Sequence, residues 1–366
     1  MGLDEFSWES AHAELLSAYD SRKELIPTRV AGSTEGFTTL STPDRLVAEN
    51  RKIRCLITRP RGASDGAKLD RACVLLHGLN ERGWDKYAPW AQAIADRTGC
   101  AVIRFPIAFH MDRSPAPWAN FGVMRGVSKD RIARYPGIKQ SSMANAAISE
   151  RLDESPDRLY LSGLMSALDL EDLIGFLRAG KIDGIAPDAK LGFFGYSIGV
   201  YLLQCVALAD PPFARDAKRF LFCGGPYLST MTPVSKFIMD SRAHERLIDF
   251  WVKNLEAETA NDPRLAELIE TPLGKGFRAM VDRKYPQLNR LNAFTPETTR
   301  VASLAGDEVM PRPAIESFFS DTGIVPEFLD LPPACTHIAP FNPAAGDASR
   351  DAFERMFDGV AAYLFE

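Results

Sequence analysis

Residues 189–209 read AKLGFFGYSIGVYLLQCVALA and carry the strongest structural signal in the chain. A short apolar run, Leu191 to Phe194, leads into the motif GYSIG at residues 195–199, and an almost wholly apolar stretch of helical character follows. This pattern predicts a buried strand, a sharp turn and a buried helix. A serine at the centre of such a turn is held in a strained backbone conformation that lifts its hydroxyl clear of the sheet. Glycines two residues before and after it avoid collisions in the crowded turn.

The composition is that of a globular protein with room for a large core. The chain has 366 residues, enough for one large α/β domain with an inserted subdomain or for two domains. Its net charge of −5 gives no basic surface for nucleic acid, and no apolar run approaches the roughly 20 residues that span a bilayer. The N-terminus lacks the basic start and apolar core of a signal peptide. We therefore expect a cytoplasmic protein with neither a nucleic acid nor a membrane as partner.

Strand and helix patterns alternate on both sides of the motif, which is typical of an α/β fold with a mainly parallel sheet. Short runs that predict strands lie at residues 54–58, 73–76, 101–105, 191–194, 219–223, 300–304 and 325–331. The apolar residues of 7–19 recur with helical spacing and predict an N-terminal helix.

The order of these patterns predicts a divided core. We expect an α/β core over residues 1–226 and 296–366, with a less regular, proline-containing insertion at about 106–155 that shapes a pocket. Residues 227–295 are mostly amphipathic and helical with no strand signal, which predicts an inserted helical cap. Extra helices packed on the outside of the sheet are the alternative for that segment.

The serine of the motif, Ser197, needs a general base if it is to act as a nucleophile, and imidazole is the usual base near neutral pH. The chain has five histidines. His337 alone lies in a loop after the final predicted strand, where the base follows such a serine in chain order. The other four lie on predicted helices or directly after predicted strands: His12, His77, His110 and His244.

The acid that orients this base is predicted at Asp307, because it follows the end of a predicted strand and lies between Ser197 and His337 in the chain. Its neighbour Glu308 and the later Asp330 are the alternatives.

An oxyanion hole needs two backbone N–H groups aimed at the developing negative oxygen. We expect one at Ile198, directly after the serine and at the N-terminus of the next helix, where the helix dipole favours negative charge. The other is expected in the loop after the strand at 73–76, from Leu79 first and from Asn80 second. Backbone donors have no side-chain signature, so this prediction depends on position alone.

Taken together, these segments resemble the α/β-hydrolase superfamily. The matching pieces are His77-Gly78 after a buried strand, GYSIG at 195–199, GDEVMP at 306–311 and His337 after the last strand. The resemblance implies a mainly parallel, mostly eight-stranded sheet with helices on both faces, and acyl transfer through a serine ester with no metal or other cofactor. The glycine-rich turn that many members carry after the second strand of the βαβ unit is absent. The side chains that we expect to line the pocket are His77, Asn80, His110 and Tyr196.

We therefore predict a serine hydrolase that cleaves a carboxylic ester or related acyl compound, with a small-molecule acyl substrate as its partner. Ser197, His337 and Asp307 would form the triad, and an acyl-enzyme would be the intermediate. Acyl transfer to an acceptor other than water and cleavage of an amide or peptide are alternatives on the same triad. A non-catalytic binding module is the alternative of another class, although binding would not require all three residues in this order.

Overall fold

An eight-stranded sheet forms the centre of the computed structural model, which describes residues 4–16, 40, 42–64, 66–288 and 290–365. The strands in chain order are β1 (Asp4–Glu9), β2 (Lys52–Thr58), β3 (Leu69–Leu76), β4 (Ala101–Phe105), β5 (Ile185–Tyr196), β6 (Lys218–Phe222), β7 (Thr299–Leu304) and β8 (Glu327–Leu329).

The strands lie side by side in the order β1-β2-β4-β3-β5-β6-β7-β8. The pairs β1–β2 and β2–β4 are antiparallel, and the other five pairs are parallel. Parallel neighbours need a crossover connection, which helices supply between the strands of the parallel region. The chain therefore has the α/β-hydrolase fold, and the predicted fold class is confirmed.

Helices surround the sheet in the described part of the chain. The α-helices are α1 (Ala48–Arg51), α2 (Tyr87–Thr98), α3 (Phe121–Arg134), α4 (Ala146–Glu154), α5 (Arg158–Arg178), α6 (Ile198–Ala209), α7 (Pro212–Arg215), α8 (Ser241–Leu247), α9 (Leu255–Asn261), α10 (Pro263–Ile269), α11 (Pro272–Val281), α12 (Arg290–Ala293), α13 (Arg312–Phe319) and α14 (Asp347–Leu364). A π-helical turn, Ile248–Lys253, continues α8. None of these helices is long and apolar enough to cross a membrane.

Both faces of the central strands are buried, which explains why they read as continuous apolar runs. Successive residues of β5 point to opposite faces: Phe193 joins the core beneath α5 and α6, and Phe194 joins the core beneath α2 and α14. On the second face the Phe194 ring lies 6.1 Å from Trp90 of α2 and 6.0 Å from Phe357 of α14, between ring centroids. Strand β5 is thus held rigidly where it delivers Ser197.

The predicted N-terminal helix over 7–19 is wrong for the residues that the structure describes. Residues 4–9 form β1, which pairs with β2, and only a short 3₁₀ turn follows at Ala13–Leu16; residues 17–19 lie outside the described ranges. The reason is the alternation of Phe6 and Trp8, whose rings both lie 5.5 Å from the Phe176 ring of α5. Side chains two residues apart lie on the same face of a strand, so both rings pack on α5 only if residues 4–9 are extended.

The segments 106–155 and 227–295 pack against each other. Helix α8 lies on α4, and α11 lies across α6, the helix that follows Ser197. A buried ion pair joins the two segments, because Arg131 on α3 donates to both carboxylate oxygens of Asp240 at 2.7 and 2.9 Å. Bidentate pairs of this kind fix geometry as well as adding energy. The two segments are therefore packed together and lie at the carboxyl ends of the strands.

Candidate active site

The turn that carries the serine is tight and strained. Strand β5 ends at Tyr196, helix α6 begins at Ile198, and Ser197 between them has φ 55° and ψ −116°. A non-glycine residue in such a region costs about 1–3 kcal/mol. The Ser197 N–H donates to the carbonyl of Phe222 at the end of β6 (3.1 Å), which helps to hold the turn.

Close packing explains both glycines of the motif. A Cβ atom at Gly199 would lie 2.6 Å from the carbonyl oxygen of Leu76 on β3, and one at Gly195 would lie 2.8 Å from Leu203 on α6. The Gly199 N–H donates to the carbonyl of His77 at 3.1 Å, so the start of α6 is bonded directly to the loop after β3.

Replacing Gly199 with alanine is expected to lower the free energy of unfolding by about 1–3 kcal/mol, because the added methyl group meets rigid backbone and forces a local shift. The matched control is Gly126→Ala in the middle of α3, where an added Cβ meets no atom within 4 Å. Alanine there should be neutral or stabilising, by up to about 1 kcal/mol. Melting temperatures of the two variants check this, and equal stability of both would contradict the packing argument.

The structure brings the three predicted site residues together. The Ser197 hydroxyl donates to Nε2 of His337 (2.8 Å), and Nδ1–H of His337 donates to Oδ2 of Asp307 (2.8 Å). All three residues are buried, with between 4% and 5% of each exposed. They meet because they follow parallel strands, whose carboxyl ends lie at the same edge of the sheet.

The carboxylate of Asp307 is held in one orientation. Its Oδ1 accepts from the backbone N–H groups of Val309 and Met310, each at 2.9 Å, which leaves Oδ2 for His337. The two alternative acids, Glu308 and Asp330, are exposed. Neither makes a hydrogen bond to His337 in the part of the chain that the structure describes. The geometry therefore favours Asp307 as the partner of the imidazole.

Side chains from other elements hold the loop of His337. The Tyr196 hydroxyl donates to the His337 carbonyl, and the two rings stack with centroids 5.6 Å apart at 22°. Lys86 donates to the next carbonyl, of Ile338, at 3.2 Å and also pairs with Glu81. Sequence reasoning missed Lys86 and Glu81, because no motif marks a lysine that reaches the backbone of a loop about 250 residues away.

Two backbone donors stand beside Ser197 without partners. Neither the Ile198 N–H nor the Leu79 N–H donates a hydrogen bond to any described residue. Both residues line the cavity that Ser197 also lines. Asn80, the second candidate, has φ 61° and donates its side-chain amide to the carbonyls of Ala144 (2.6 Å) and Phe237 (2.8 Å). Its side chain thus ties the loop to the segments above it.

The side chain of His77 is hydrogen-bonded to the backbone through both ring nitrogens. It is fully buried, its Nδ1–H donates to the Gly78 carbonyl (2.8 Å), and its Nε2 accepts from the Ile107 N–H (2.9 Å). Burial lowers the pKa of this imidazole well below its usual value, and the nearby His110 lowers it further. The ring therefore stays neutral and joins the ends of β3 and β4.

Ser197 faces a largely apolar cavity that is partly open to solvent. Its lining comes from the loop after β3, the start of α5 and α6, the segment 227–295 and the loop after β7: Leu79, Leu159, Ser197, Ile198, Tyr201, Leu228, Met231, Pro233, Ile238, Met239, His244, Leu247, Val309 and Met310. A neighbouring apolar cavity shares Leu79 and Ile198 with it and includes His110. Burial lowers the pKa of His110 to about 4, so its ring is neutral at pH 7.

Two polar atoms of this lining have no partner among the described residues, the Tyr201 hydroxyl and Nε2 of His244. Burial lowers the pKa of His244, so this imidazole is neutral at pH 7. Neither residue was predicted to belong to the site. The sequence places His244 on a helix of the segment 227–295, and only the packing of that segment brings it over Ser197.

Groups with the donor atoms of a metal site occur twice among the described residues, and both are already hydrogen-bonded. Cys223, Asp307 and His337 offer atoms within 4.8 Å of one another, but both ring nitrogens of His337 are already hydrogen-bonded, to Ser197 and to Asp307. Burial raises the pKa of the Cys223 thiol, which disfavours the thiolate that metals bind. In the second group, around His12, the Asp169 carboxylate pairs with Arg113 at 2.8 Å.

A family model described as a family of unknown function, DUF6051, matches residues 1–365. No curated protein sequence matches the chain.

Several solved structures share the fold at low identity. Carboxyl esterase 2 from the fungus Tuber melanosporum is 10% identical with a TM-score of 0.46, over 86% of this chain and 82% of the esterase. A butyrate-bound thermophilic esterase from Thermogutta terrifontis is 14% identical with a TM-score of 0.43, over 86% and 91%. The acylaminoacyl peptidase of Pyrococcus horikoshii is 14% identical with a TM-score of 0.44, over 86% of this chain and 40% of the peptidase. At this level, the activities of these proteins do not transfer to the chain.

Proposed function

The chain belongs to DUF6051, a family of unknown function, and we propose from its site that it is a serine hydrolase acting on a carboxylic ester or related acyl compound. The observation that carries the proposal is the unbroken pair of 2.8 Å hydrogen bonds from Ser197 through His337 to Asp307. This arrangement allows a serine hydroxyl to lose its proton as it attacks a carbonyl carbon.

The proposed reaction begins when Ser197 Oγ attacks the carbonyl carbon and its proton passes to Nε2 of His337. Asp307 stabilises the imidazolium that forms, because its Oδ2 accepts from Nδ1–H. The oxyanion accepts hydrogen bonds from the free N–H groups of Ile198 and Leu79. His337 then protonates the departing alcohol, which leaves an ester on Ser197. Water attacks that ester with His337 as base, and release of the acid restores the hydroxyl.

The surroundings of Ser197 support an apolar group on the substrate. We take residues 227–295 as a cap, because seven of its side chains line the cavity that contains the nucleophile: Leu228, Met231, Pro233, Ile238, Met239, His244 and Leu247. An apolar cavity binds the hydrocarbon part of an acyl compound through burial of apolar surface, at about 25 cal/mol per Å². The two unpartnered atoms, of Tyr201 and His244, are available to orient a polar group within it.

A fluorophosphonate probe is expected to form a covalent bond to Ser197 of the folded protein, with loss of fluoride. Intact mass measures the single addition, and mapping of the modified peptide locates it. Heat-denatured protein is the control, because the probe reacts only with a hydroxyl that an assembled triad activates. Absence of labelling on folded protein, or labelling at a different serine, would contradict the proposal.

A further inference from the structure

A third cavity lies beside the loop after β3 and shares Leu79 and Leu159 with the cavity of Ser197. It is partly open to solvent. Unlike its neighbour, it is lined by three arginines together with apolar and aromatic side chains: Leu79, Asn80, Arg82, Ala108, Phe109, His110, Trp118, Ile148, Arg151, Leu152, Arg158, Leu159 and Ser162. We call it the arginine cavity.

Two of the three arginines are neutralised by carboxylates. Arg151 contacts Asp44 at 2.8 Å, and Arg158 contacts Asp44 at 3.3 Å and Glu154 at 2.5 Å. Their charges are therefore balanced by the protein itself. Arg151 and Arg158 therefore do not by themselves indicate an anionic ligand.

Arg82 differs from both, since no described carboxylate lies within 4.0 Å of its guanidinium. Its Nη2 donates to Oδ1 of Asn80 at 3.0 Å, whereas its Nη1 is buried without a hydrogen-bond partner in the described ranges. Burial, and to a smaller extent the charge of Arg151, lower the pKa of Arg82 to about 10, so the group stays charged at pH 7. Arg82 thus supplies one positive charge that the described chain leaves unmatched.

A second unmatched donor lies next to Arg82. Trp118 is only 5% exposed, and its indole Nε1–H has no acceptor among the residues of known placement. The Arg82 guanidinium lies 5.8 Å from the centroid of the Trp118 ring, so the two side chains face the same cavity together. A buried donor without an acceptor is destabilising, and a ligand that accepts a hydrogen bond from it removes that cost.

We propose that the arginine cavity binds a carboxylate carried by the substrate, with Arg82 and Trp118 as its donors. This rests on the proposed function, because the cavity adjoins the site of Ser197. One unmatched guanidinium and one neutral N–H fit a group with a single negative charge, whereas a phosphate dianion would leave a charge unpaired. Leu79 and Leu159 stand between the two cavities and line both of them, so a substrate that reaches from Ser197 to Arg82 would lay a hydrocarbon chain against these apolar side chains. The substrate class is therefore an acyl compound with a remote carboxylate.

The test compares two esters of equal chain length, the 4-nitrophenyl monoester of adipic acid and 4-nitrophenyl hexanoate. The full-length protein is expected to favour the anionic ester by about tenfold or more in kcat/KM, as a charge-assisted hydrogen bond in a buried site allows. Arg82→Gln should bring this ratio close to one, and Arg82→Lys should restore part of it. Trp118→Phe, which keeps a ring but removes the N–H, should lower the ratio independently. Arg61→Gln, at a side chain that is 78% exposed, should leave the ratio unchanged.

A binding measurement separates this proposal from the proposed function. Free adipate should raise the melting temperature of the wild-type protein and not that of Arg82→Gln, whether or not either ester is hydrolysed. Stabilisation lost with Arg82 supports the carboxylate site even if the hydrolase proposal fails. A ratio near one in the wild type together with no effect of adipate would overturn it. Equal stabilisation by inorganic phosphate and adipate would overturn the assignment to a carboxylate.

Discussion

Replacing Ser197 with alanine is expected to lower kcat for ester hydrolysis by roughly 10⁴- to 10⁶-fold, the range seen when a serine nucleophile is removed. The physical reason is that the variant has no Oγ to attack the carbonyl carbon, while His337 and Asp307 remain hydrogen-bonded to each other. The proposed oxyanion donors stay in place, so a small residual rate over the uncatalysed reaction should persist. Steady-state kinetics on a 4-nitrophenyl ester measure the loss.

Ser128→Ala is the matched control for this variant, because Ser128 is buried to the same degree, 6% exposed against 5% for Ser197. Ser128 lies on α3, and its hydroxyl is hydrogen-bonded to the hydroxyl of Ser141 at 3.2 Å. It takes no part in the proposed site. The control should retain full kcat. If Ser197→Ala keeps its melting temperature and also keeps more than about one tenth of the wild-type rate, Ser197 is not the nucleophile.

Replacing Asp307 with asparagine is expected to lower kcat by about 10⁴-fold through the wrong tautomer of His337. The backbone dictates how the new amide sits, because Val309 and Met310 both donate to Oδ1. The asparagine must therefore turn its carbonyl oxygen to them and its NH₂ group to Nδ1 of His337. Nδ1 then accepts, Nε2 carries the proton, and it can no longer receive the proton of Ser197.

Glu308→Gln is the control for this variant, because it makes the same carboxylate-to-amide change at the next residue, whose side chain is exposed. It should leave kcat unchanged, as should Asp330→Asn. Kinetics on the three variants, with melting temperatures to show that each folds, decide between the candidate acids. A large loss in Glu308→Gln or Asp330→Asn, with Asp307→Asn active, would move the acid to that residue.

Much of the site could be named from the sequence because its signals are local or ordered along the chain. The glycines at 195 and 199 reflect collisions within one turn, with β3 and with α6. His337 could be found by elimination among five histidines, and Asp307 by its place after a strand. The structure places these side chains within hydrogen-bonding distance of Ser197 or of each other.

Other features could not be predicted because they depend on contacts between distant segments. The helical spacing within residues 7–19 hid a strand, since β1 forms only where β2 is present to pair with it. The sequence places His244 on a helix of the predicted cap, and only the packing of α8 shows that it lines the cavity of Ser197. Arg82 resembles any charged loop residue in the sequence, because only the fold keeps its guanidinium more than 4.0 Å from every described carboxylate.

The sequence by itself determined the α/β-hydrolase fold and pointed to the residue types of the proposed reaction. Apolar periodicity specifies strands and helices, and the strained turn from Gly195 to Gly199 accepts few other residues. Only the tertiary structure decided which side chains surround Ser197. Substrate cavities are assembled from segments far apart in the chain, here 79–82, 106–155 and 227–295, whose mutual packing has no signature in any one of them. The chemistry could therefore be proposed from the sequence. The unmatched charge of Arg82 among the described residues, and with it the proposed carboxylate of the substrate, could be found only in the tertiary structure.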